Sequence, residues 1–293
     1  MFESIAVIIA SMGIPIALLV GAMVVLKWLR KRENRRSPLT DKLYHQPGEQ
    51  LRKRIGQLDD DVQERIGRLL VIGPLMLLAI LLPRVNWSAI RFGLAEGIVL
   101  LLTLAFIGWN IRDLWRLWNE RIQTQAGLSG ELACAQELNR LQGKGCVVFH
   151  DLPDSKGNID HIVITANAVF AVETKWRSKI GKGKESAEVL YDGKCLQFPG
   201  GYRTEAPLDQ ARACARGLSK YLHGKTGEPV HVTPVVALPG WYVKPLPGAE
   251  NAEVKVVNPK RAWTLLEKSG AQIAWQQRNR IVDRIAERYP EAD

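Results

Sequence analysis

Apolar residues follow two different patterns along this 293-residue chain. From about residue 127 onward they recur at strand and helix spacing, which is typical of an α/β domain. Before that point they form long runs, at about 4–26, 68–84 and 92–111. A helix that crosses a bilayer needs about 20 apolar residues. The pattern therefore predicts an all-helical membrane region over 1–118 and a separate α/β domain over 119–293.

The charges around the apolar runs predict how they are oriented. Run 4–26 is followed by the basic stretch Lys27–Arg36, so the positive-inside rule places the N-terminus outside and the connector 27–67 in the cytoplasm. The other two runs predict a membrane hairpin, with a re-entrant or interfacial first run as the alternative. A hairpin adds two crossings or none, so the C-terminal domain stays in the cytoplasm, and only a single crossing by one run of the pair would reverse this. We expect a multi-pass protein of a lipid bilayer, such as a bacterial inner membrane.

Net charge and cysteines narrow the function classes only slightly. The net charge is +10, but residues 1–118 hold 16 Lys and Arg against 10 Asp and Glu, so over half of the surplus lies among the apolar runs. Membrane topology accounts for that share without nucleic acid. The four cysteines lack CxxC spacing, so the sequence predicts neither a zinc ribbon nor a disulfide framework, and we expect reduced thiols in the core.

The C-terminal domain is predicted to contain alternating helices and strands. Ser129 is expected to cap a helix to about Leu141, and Pro207 to lie in the first turn of a helix to about Leu222. Strands are predicted at Cys146–Asp151, Ile159–Thr165, Ala168–Trp176, Glu188–Tyr191, Lys194–Phe198, His231–Leu238 and Val254–Val257. Two more helices are expected, at Arg261–Lys268 and Gln272–Arg288.

The hairpin within 158–175 brings charged residues together in an otherwise apolar sheet. With Ala166-Asn167 as a two-residue loop, Thr165 pairs with Ala168 and Asp160 lies directly opposite Glu173. Directly opposite carboxylates repel each other, and strand alternation places Lys175 on the same face. A divalent cation would explain this arrangement. The plainer alternative is a buried ion-pair cluster, which rarely improves stability over apolar packing.

Two flanking helices contribute further polar residues. Glu131 falls on the apolar stripe of Cys134, Ala135, Leu138 and Leu141, where a carboxylate is costly unless something satisfies it. Gln210 lies near the inner edge of the later helix's stripe of Leu208, Ala211, Cys214 and Leu218. His161 points away from Asp160, so we expect a packed, hydrogen-bonded histidine.

The order of these elements resembles the PD-(D/E)XK nuclease superfamily, and within it the nuclease-related NERD domain. The resemblance is carried by GLSGELACAQELNRL, GNIDHIVI, VFAVETKW and APLDQ, and covers about 127–222. It implies a restriction-endonuclease-like α/β core, with a mixed central sheet flanked by helices. It also implies a phosphodiesterase that depends on Mg²⁺ or Mn²⁺.

The resemblance assigns each residue a role. Asp160 and Glu173 would hold the metal, and Glu131 would assist metal or water positioning. Lys175 would position or activate the attacking water and stabilise developing negative charge. Gln210 would orient groups near the nucleophile.

The expected function is thus a membrane-anchored, metal-dependent nuclease, with DNA as the expected substrate. The loop lysines Lys179, Lys182 and Lys184 could contact backbone phosphates, although a solvated loop explains them equally well. The alternative function is a non-catalytic, membrane-tethered module that binds nucleic acid or acts as a scaffold. Metal binding at Asp160 and Glu173 would distinguish the two.

Overall fold

A computed structural model describes five parts of the chain, residues 46–81, 94–154, 157–179, 185–264 and 272–288. The chain divides into two compact units. One is centred on 56–121, and the other combines 42–55 with 122–293.

The first unit contains parts of two long helices. Helix α1 is Glu49–Leu81 and helix α2 is Leu94–Asn139, and both extend into the second unit. Leu58, Val62 and Leu117 form a small core between them. An ion pair of 2.6 Å between Arg65 Nη2 and Asp113 Oδ2 adds a polar contact.

Within the described residues, no helix combines the length and apolar character needed to cross a membrane. In the part of the chain that the structure describes, the apolar part of α1 is 69–81 and that of α2 is 97–111. The predicted spans at 68–84 and 92–111 are therefore not confirmed. The predicted span at 4–26 lies outside the described residues.

The second unit is an α/β fold with two sheets. Its strands are β1 Val147–Asp154, β2 Gly157–Ile164, β3 Val169–Thr174, β4 Glu188–Tyr191, β5 Leu196–Gln197, β6 Arg203–Thr204, β7 Val232–Ala237, β8 Tyr242–Pro245 and β9 Lys255–Val257. Its further helices are α3 Ala206–Thr226 and α4 Trp275–Arg288. Short 3₁₀ turns occur at Gln142–Lys144, Glu185–Ala187, Ala249–Asn251 and Pro259–Arg261.

The larger sheet is mixed, in the order β1-β2-β3-β7-β9. Strands β1, β2 and β3 are antiparallel, whereas β7 and β9 continue the sheet in parallel with β3. The smaller sheet has the order β6-β5-β4-β8. The mixed sheet predicted from the sequence is confirmed.

Helices cover both faces of the larger sheet, which explains why β3 is buried along its whole length. On one face Ile162 and Ala171 pack with Leu218 of α3 and Ile281 of α4. On the other face the apolar side chains pack with the end of α2, through Val163, Phe170, Val172, Cys134 and Leu138. Period-two alternation of apolar residues along β2 and β3 produces this double burial.

The predicted helix start at Ser129 is wrong. Helix α2 runs without a break through this position, and the Ser129 hydroxyl donates a hydrogen bond to the carbonyl of Gln125 at 2.9 Å. A serine that bonds back to residue i−4 lies inside a helix and caps nothing. Pro207 does lie in the first turn of α3, as predicted. Of the predicted helix 261–268, residues from 265 lie outside the described part of the chain.

Candidate active site

The register of the β2–β3 hairpin confirms the predicted turn. The Thr165 N–H donates to the Ala168 carbonyl at 2.9 Å, and the Thr165 hydroxyl accepts from the Ala168 N–H at 2.9 Å. His161 pairs with Val172, so the next rung brings Asp160 opposite Glu173. There Asp160 Oδ2 accepts the Thr174 N–H at 2.7 Å, so this side chain continues the pairing where the backbone ladder ends.

Asp160 and Glu173 are deeply buried, with 8% and 2% of their surfaces exposed. Burial raises the pKa of Asp160 well above its ordinary value, and the negative charges of Glu173 and Glu131 raise it further. The Thr174 N–H and the Lys175 charge act in the opposite direction but do not cancel the rise. The buried carboxylates thus repel each other, as the register argument predicted.

Lys175 is the positive charge at this cluster. Its Nζ lies 2.8 Å from Glu173 Oε1, and its own N–H donates to the Ala237 carbonyl of β7 at 2.9 Å, which fixes its backbone. Burial lowers the pKa of Lys175, but attraction by Glu173, Asp160 and Glu131 outweighs burial and leaves the pKa raised. One lysine therefore faces several carboxylates.

Helix α2 brings Glu131 to the same cluster. The approach depends on Gly130, because a Cβ there would lie only 2.9 Å from the Cβ of Trp176, the residue after Lys175. The pKa of Glu131 rises to about 7, first through burial and then through repulsion by Asp151 and Glu173, with Lys175 opposing. Glu131 thus lies within electrostatic range of Asp151, Glu173 and Lys175, and its part in the site stays a prediction.

Asp151 is a further carboxylate, which the sequence patterns did not single out. His150 pairs with His161 and Leu152 with Ile159, so Asp151 lies level with Asp160 across the β1–β2 ladder. Its φ of 54° is rare for a non-glycine residue, and its surface is 2% exposed. Asp151, Asp160 and Glu173 therefore occupy one level of three neighbouring strands. We call these three residues together with Glu131 the carboxylate cluster.

The register of the β1–β2 hairpin could have revealed Asp151. The sequence patterns predicted that the first strand ends at this residue, whereas β1 continues to Asp154, which pairs with Gly157. Following the ladder from that pair places residue 151 opposite residue 160. The positive φ of Asp151 depends on its tertiary surroundings and carries no sequence signal.

Helix α3 places Cys214 in contact with Glu173, whereas its predicted site residue Gln210 is exposed. The Cys214 thiol lies 3.8 Å from Glu173 Oε2, and burial followed by the charges of Glu173 and Asp160 raises its pKa to about 12. The thiol is therefore a neutral donor to the carboxylate. Gln210 lies one helical turn earlier and is exposed. Cys134 and Cys146 are core residues, as predicted, and Cys214 is a half-buried residue packed against the core that also contacts Glu173.

Two histidines connect the back of the site to the end of α2. His150 and His161 have their Nδ1 atoms 2.8 Å apart, while His150 Nε2 lies 2.9 Å from Asn139 Oδ1. His161 Nε2 lies 3.1 Å from the hydroxyl of Thr174, the residue between Glu173 and Lys175. Burial lowers the pKa of His161 to about 3 and that of His150 to about 4, so both rings are neutral. His161 is thus packed and hydrogen-bonded, as predicted.

The donor chemistry of the cluster suits a hard divalent cation. Mg²⁺ and Mn²⁺ prefer carboxylate oxygens, and Mg²⁺ is commonly held by one or two carboxylates plus waters. Asp160 and Glu173 provide two such groups, and a cation would relieve the repulsion that raises the pKa of Asp160. Among the described residues, no three His, Cys, Asp or Glu side chains are grouped to hold a metal ion by themselves.

Of the three predicted phosphate-contacting lysines, the structure describes one. Lys179 is exposed, with its Nζ 5.8 Å from the centre of the Trp241 ring. Lys182 and Lys184 lie outside the described residues.

Comparison with known proteins supports a nuclease-related domain. Residues 126–239 match the family described as Nuclease-related domain, NERD. No curated protein matches the chain. One similar solved structure is that of Pyrococcus furiosus SfsA in complex with Ca²⁺, at 16% identity and a TM-score of 0.22. That similarity covers 48% of this chain and 55% of the SfsA chain.

Proposed function

We propose that this protein is a membrane-anchored, metal-dependent nuclease that hydrolyses phosphodiester bonds of nucleic acid, with DNA as the expected substrate. The observation that carries the proposal is the meeting of Asp160, Glu173 and Lys175 at one end of a buried mixed sheet. The match of 126–239 to the nuclease-related domain supports it. We further propose that the α/β fold is a restriction-endonuclease-like core of the PD-(D/E)XK type.

The metal site would be formed by Asp160 and Glu173, with Glu131 assisting. A bound Mg²⁺ or Mn²⁺ would polarise the phosphate and lower the pKa of a bound water. The protein's part is to hold the carboxylates in place. The Thr174 N–H fixes Asp160 Oδ2, while Lys175 and Cys214 engage separate oxygens of Glu173.

Lys175 would act on the reacting phosphate. Its Nζ is fixed by Glu173 Oε1 at 2.8 Å, and its side chain keeps 36% of its surface exposed, so a substrate can reach the ammonium group. A positioned positive charge stabilises negative charge that develops in the transition state. Gln210, one turn before Cys214 and exposed on α3, would orient groups near the nucleophile when substrate is bound.

Membrane anchoring is proposed from the sequence of 4–26, which carries no charge and precedes the basic stretch Lys27–Arg36. This arrangement would place the nuclease domain in the cytoplasm. Substrate would then be nucleic acid that comes close to the membrane.

A cleavage assay tests the proposal. The full-length chain is incubated with plasmid and single-stranded DNA in the presence of Mg²⁺, Mn²⁺ or EDTA. We expect cleavage that needs the metal and is lost in Glu173→Ala and Lys175→Ala. Matched controls are Glu253→Ala and Lys194→Ala, which change exposed residues of the same types. If both site variants cleave as fast as the wild type, the assignment of Glu173 and Lys175 to the active site is refuted.

The alternative, a non-catalytic module that binds nucleic acid, predicts a different outcome. Such a module would bind oligonucleotides without turnover, and Asp160→Asn would leave binding unchanged because no metal is involved. Nucleic-acid binding without metal uptake or cleavage would favour this alternative.

A further inference from the structure

Aromatic and basic side chains gather beside the segment that follows Lys175. They come from that segment, from the turn between β5 and β6, from the start of β6, and from the residues after β7. They are Arg177, Lys179, Phe198, Tyr202, Arg203 and Trp241. The proposed hydrolysis gives no role to the aromatic members. We call Arg177, Tyr202 and Arg203 the stacking surface.

A buried aromatic pair supports this surface from below. The Trp241 and Phe198 rings meet edge to face, with centroids 5.1 Å apart and planes at 83°, and both residues are buried. The Trp241 indole N–H donates to the Arg177 carbonyl at 3.2 Å, which ties the segment after Lys175 to the pair. Arg177 is therefore held from its backbone side.

The Arg177 guanidinium stacks on the Tyr202 ring. The Arg177 guanidinium carbon lies 3.9 Å from the centre of the Tyr202 ring and 5.1 Å from that of Phe198. At this distance the cation contacts the ring face, and the attraction fixes both side chains. Tyr202 nevertheless keeps 46% of its surface exposed. Nearly half of the Tyr202 surface thus remains open to solvent beside a positive charge.

The turn that carries Tyr202 is well defined. Gly200 and Gly201 have φ values of 80° and 81°, a conformation that side chains rarely adopt, and the Phe198 N–H donates to the Tyr202 carbonyl at 2.8 Å. Arg203 follows at once, with its guanidinium bonded to Gln197 Oε1 at 3.0 and 3.3 Å. Gln197 is neutral and does not compensate the positive charge of Arg203, while the Asp192 carboxylate lies within electrostatic range of it.

We propose that the stacking surface binds single-stranded nucleic acid by stacking an unpaired base on Tyr202, with Arg177, Arg203 and Lys179 close to the phosphates. Bases in a duplex are covered on both faces by their neighbours, so an exposed ring at this surface selects an unpaired base. Extended chain spans at most about 3.6 Å per residue, so Arg177 lies within about 7 Å of Lys175 along the backbone. The bound strand would therefore lead into the carboxylate cluster, and in this respect the inference rests on the proposed nuclease function.

The test is equilibrium binding of the full-length chain in EDTA, measured by the fluorescence anisotropy of labelled oligonucleotides. The probes are an oligo-dT strand of about 20 nucleotides, longer than the roughly 4–16 nucleotides that similar sites cover, and a duplex of equal length. We expect the single strand to bind more tightly than the duplex. Tyr202→Ala should weaken single-strand binding by about fivefold or more, whereas Tyr202→Phe should preserve it.

Two further variants provide a control and an independent test. Trp275→Ala removes a 73%-exposed aromatic ring on α4 and should leave binding unchanged. Arg177→Gln removes the charge at similar size, so it provides an independent reading if Tyr202→Ala unfolds, and it should also weaken binding. The inference is overturned if folded Arg177→Gln binds the single strand as tightly as the wild type does. It is also overturned if the duplex binds as tightly as the single strand.

Binding in EDTA separates this inference from the proposed function. A chain that shows Tyr202-dependent, strand-selective binding but never cleaves retains the stacking surface and loses the nuclease proposal. A chain that cleaves with metal but binds equally well after Tyr202→Ala keeps its nuclease site and loses the stacking surface.

Discussion

At the scale of single residues, the carboxylate cluster combines burial with incomplete charge compensation. Lys175 is an ion-pair partner of Glu173 within it, and the pKa of Asp160 remains raised despite that lysine. Buried charge of this kind costs stability unless another group compensates it. Perturbed groups of this kind concentrate at functional sites.

The raised pKa of Glu131 makes the stability lost to buried charge depend on pH. Its pKa rises from an ordinary 4.5 to about 7, so between these values the folded chain holds a proton that the unfolded chain has released. The stability of the metal-free chain should therefore fall as the pH rises through this range. Glu131→Gln removes this contribution. Thermal unfolding at pH 5 and pH 8 in EDTA should show a smaller drop in the variant, and identical drops would contradict the account.

Asp151 should show opposite effects on stability and activity. Asp151→Asn removes one of the charges that repel Glu131, so the metal-free chain should unfold at a higher temperature at pH 8. Cleavage should nevertheless slow by about 10- to 100-fold, the usual cost of losing a group that supports a metal site. Melting curves and cleavage rates of the same preparation measure both. Asp209→Asn, an exposed change on α3, serves as the control.

At the scale of elements, the close contact of α2 with the segment after β3 brings Glu131 to the sheet. Gly130 permits this contact, and its absent side chain is a packing requirement, since a Cβ would lie 2.9 Å from that of Trp176. Gly127, one turn earlier on the same helix, has only an ordinary 3.6 Å neighbour in Leu51.

This pair of glycines makes a matched test. Alanine favours a helix interior over glycine by up to about 1 kcal/mol, so Gly127→Ala should leave stability unchanged or raised. Gly130→Ala should lower the melting temperature and the cleavage rate, because Trp176 or the helix must shift. The two variants are compared by thermal unfolding and cleavage. An equal gain in stability from both would show that the close contact is unimportant.

The local patterns predicted those features that depend on neighbouring residues in the sequence. The two-residue loop at Ala166-Asn167 set the register, and with it the pairing of Asp160 with Glu173. Cys214 and Asp151 were not predicted, because one depends on how α3 rotates over the sheet and the other on a backbone conformation imposed by tertiary contacts. Ser129 was misassigned since a cap and a back-bonded serine have the same local sequence.

At the scale of the whole molecule, we propose that the residues that anchor the chain to the membrane are separate from those that cleave nucleic acid. The anchor prediction depends on 4–26, whereas the candidate site is built from 131–214. Removal of residues 1–26 should therefore shift the chain from the membrane fraction to the supernatant after centrifugation, while metal-dependent cleavage of free DNA is retained. A truncated chain that stays with the membrane would assign the anchoring to other residues.

The most direct test of the central claim is a calorimetric titration of the full-length chain with Mn²⁺. We expect saturable binding that is lost or strongly weakened in Asp160→Asn and Glu173→Gln and unchanged in the control Asp209→Asn. A wild-type chain that takes up no Mn²⁺, or site variants that bind it as tightly as the wild type, would contradict the assignment of this cluster as a metal site.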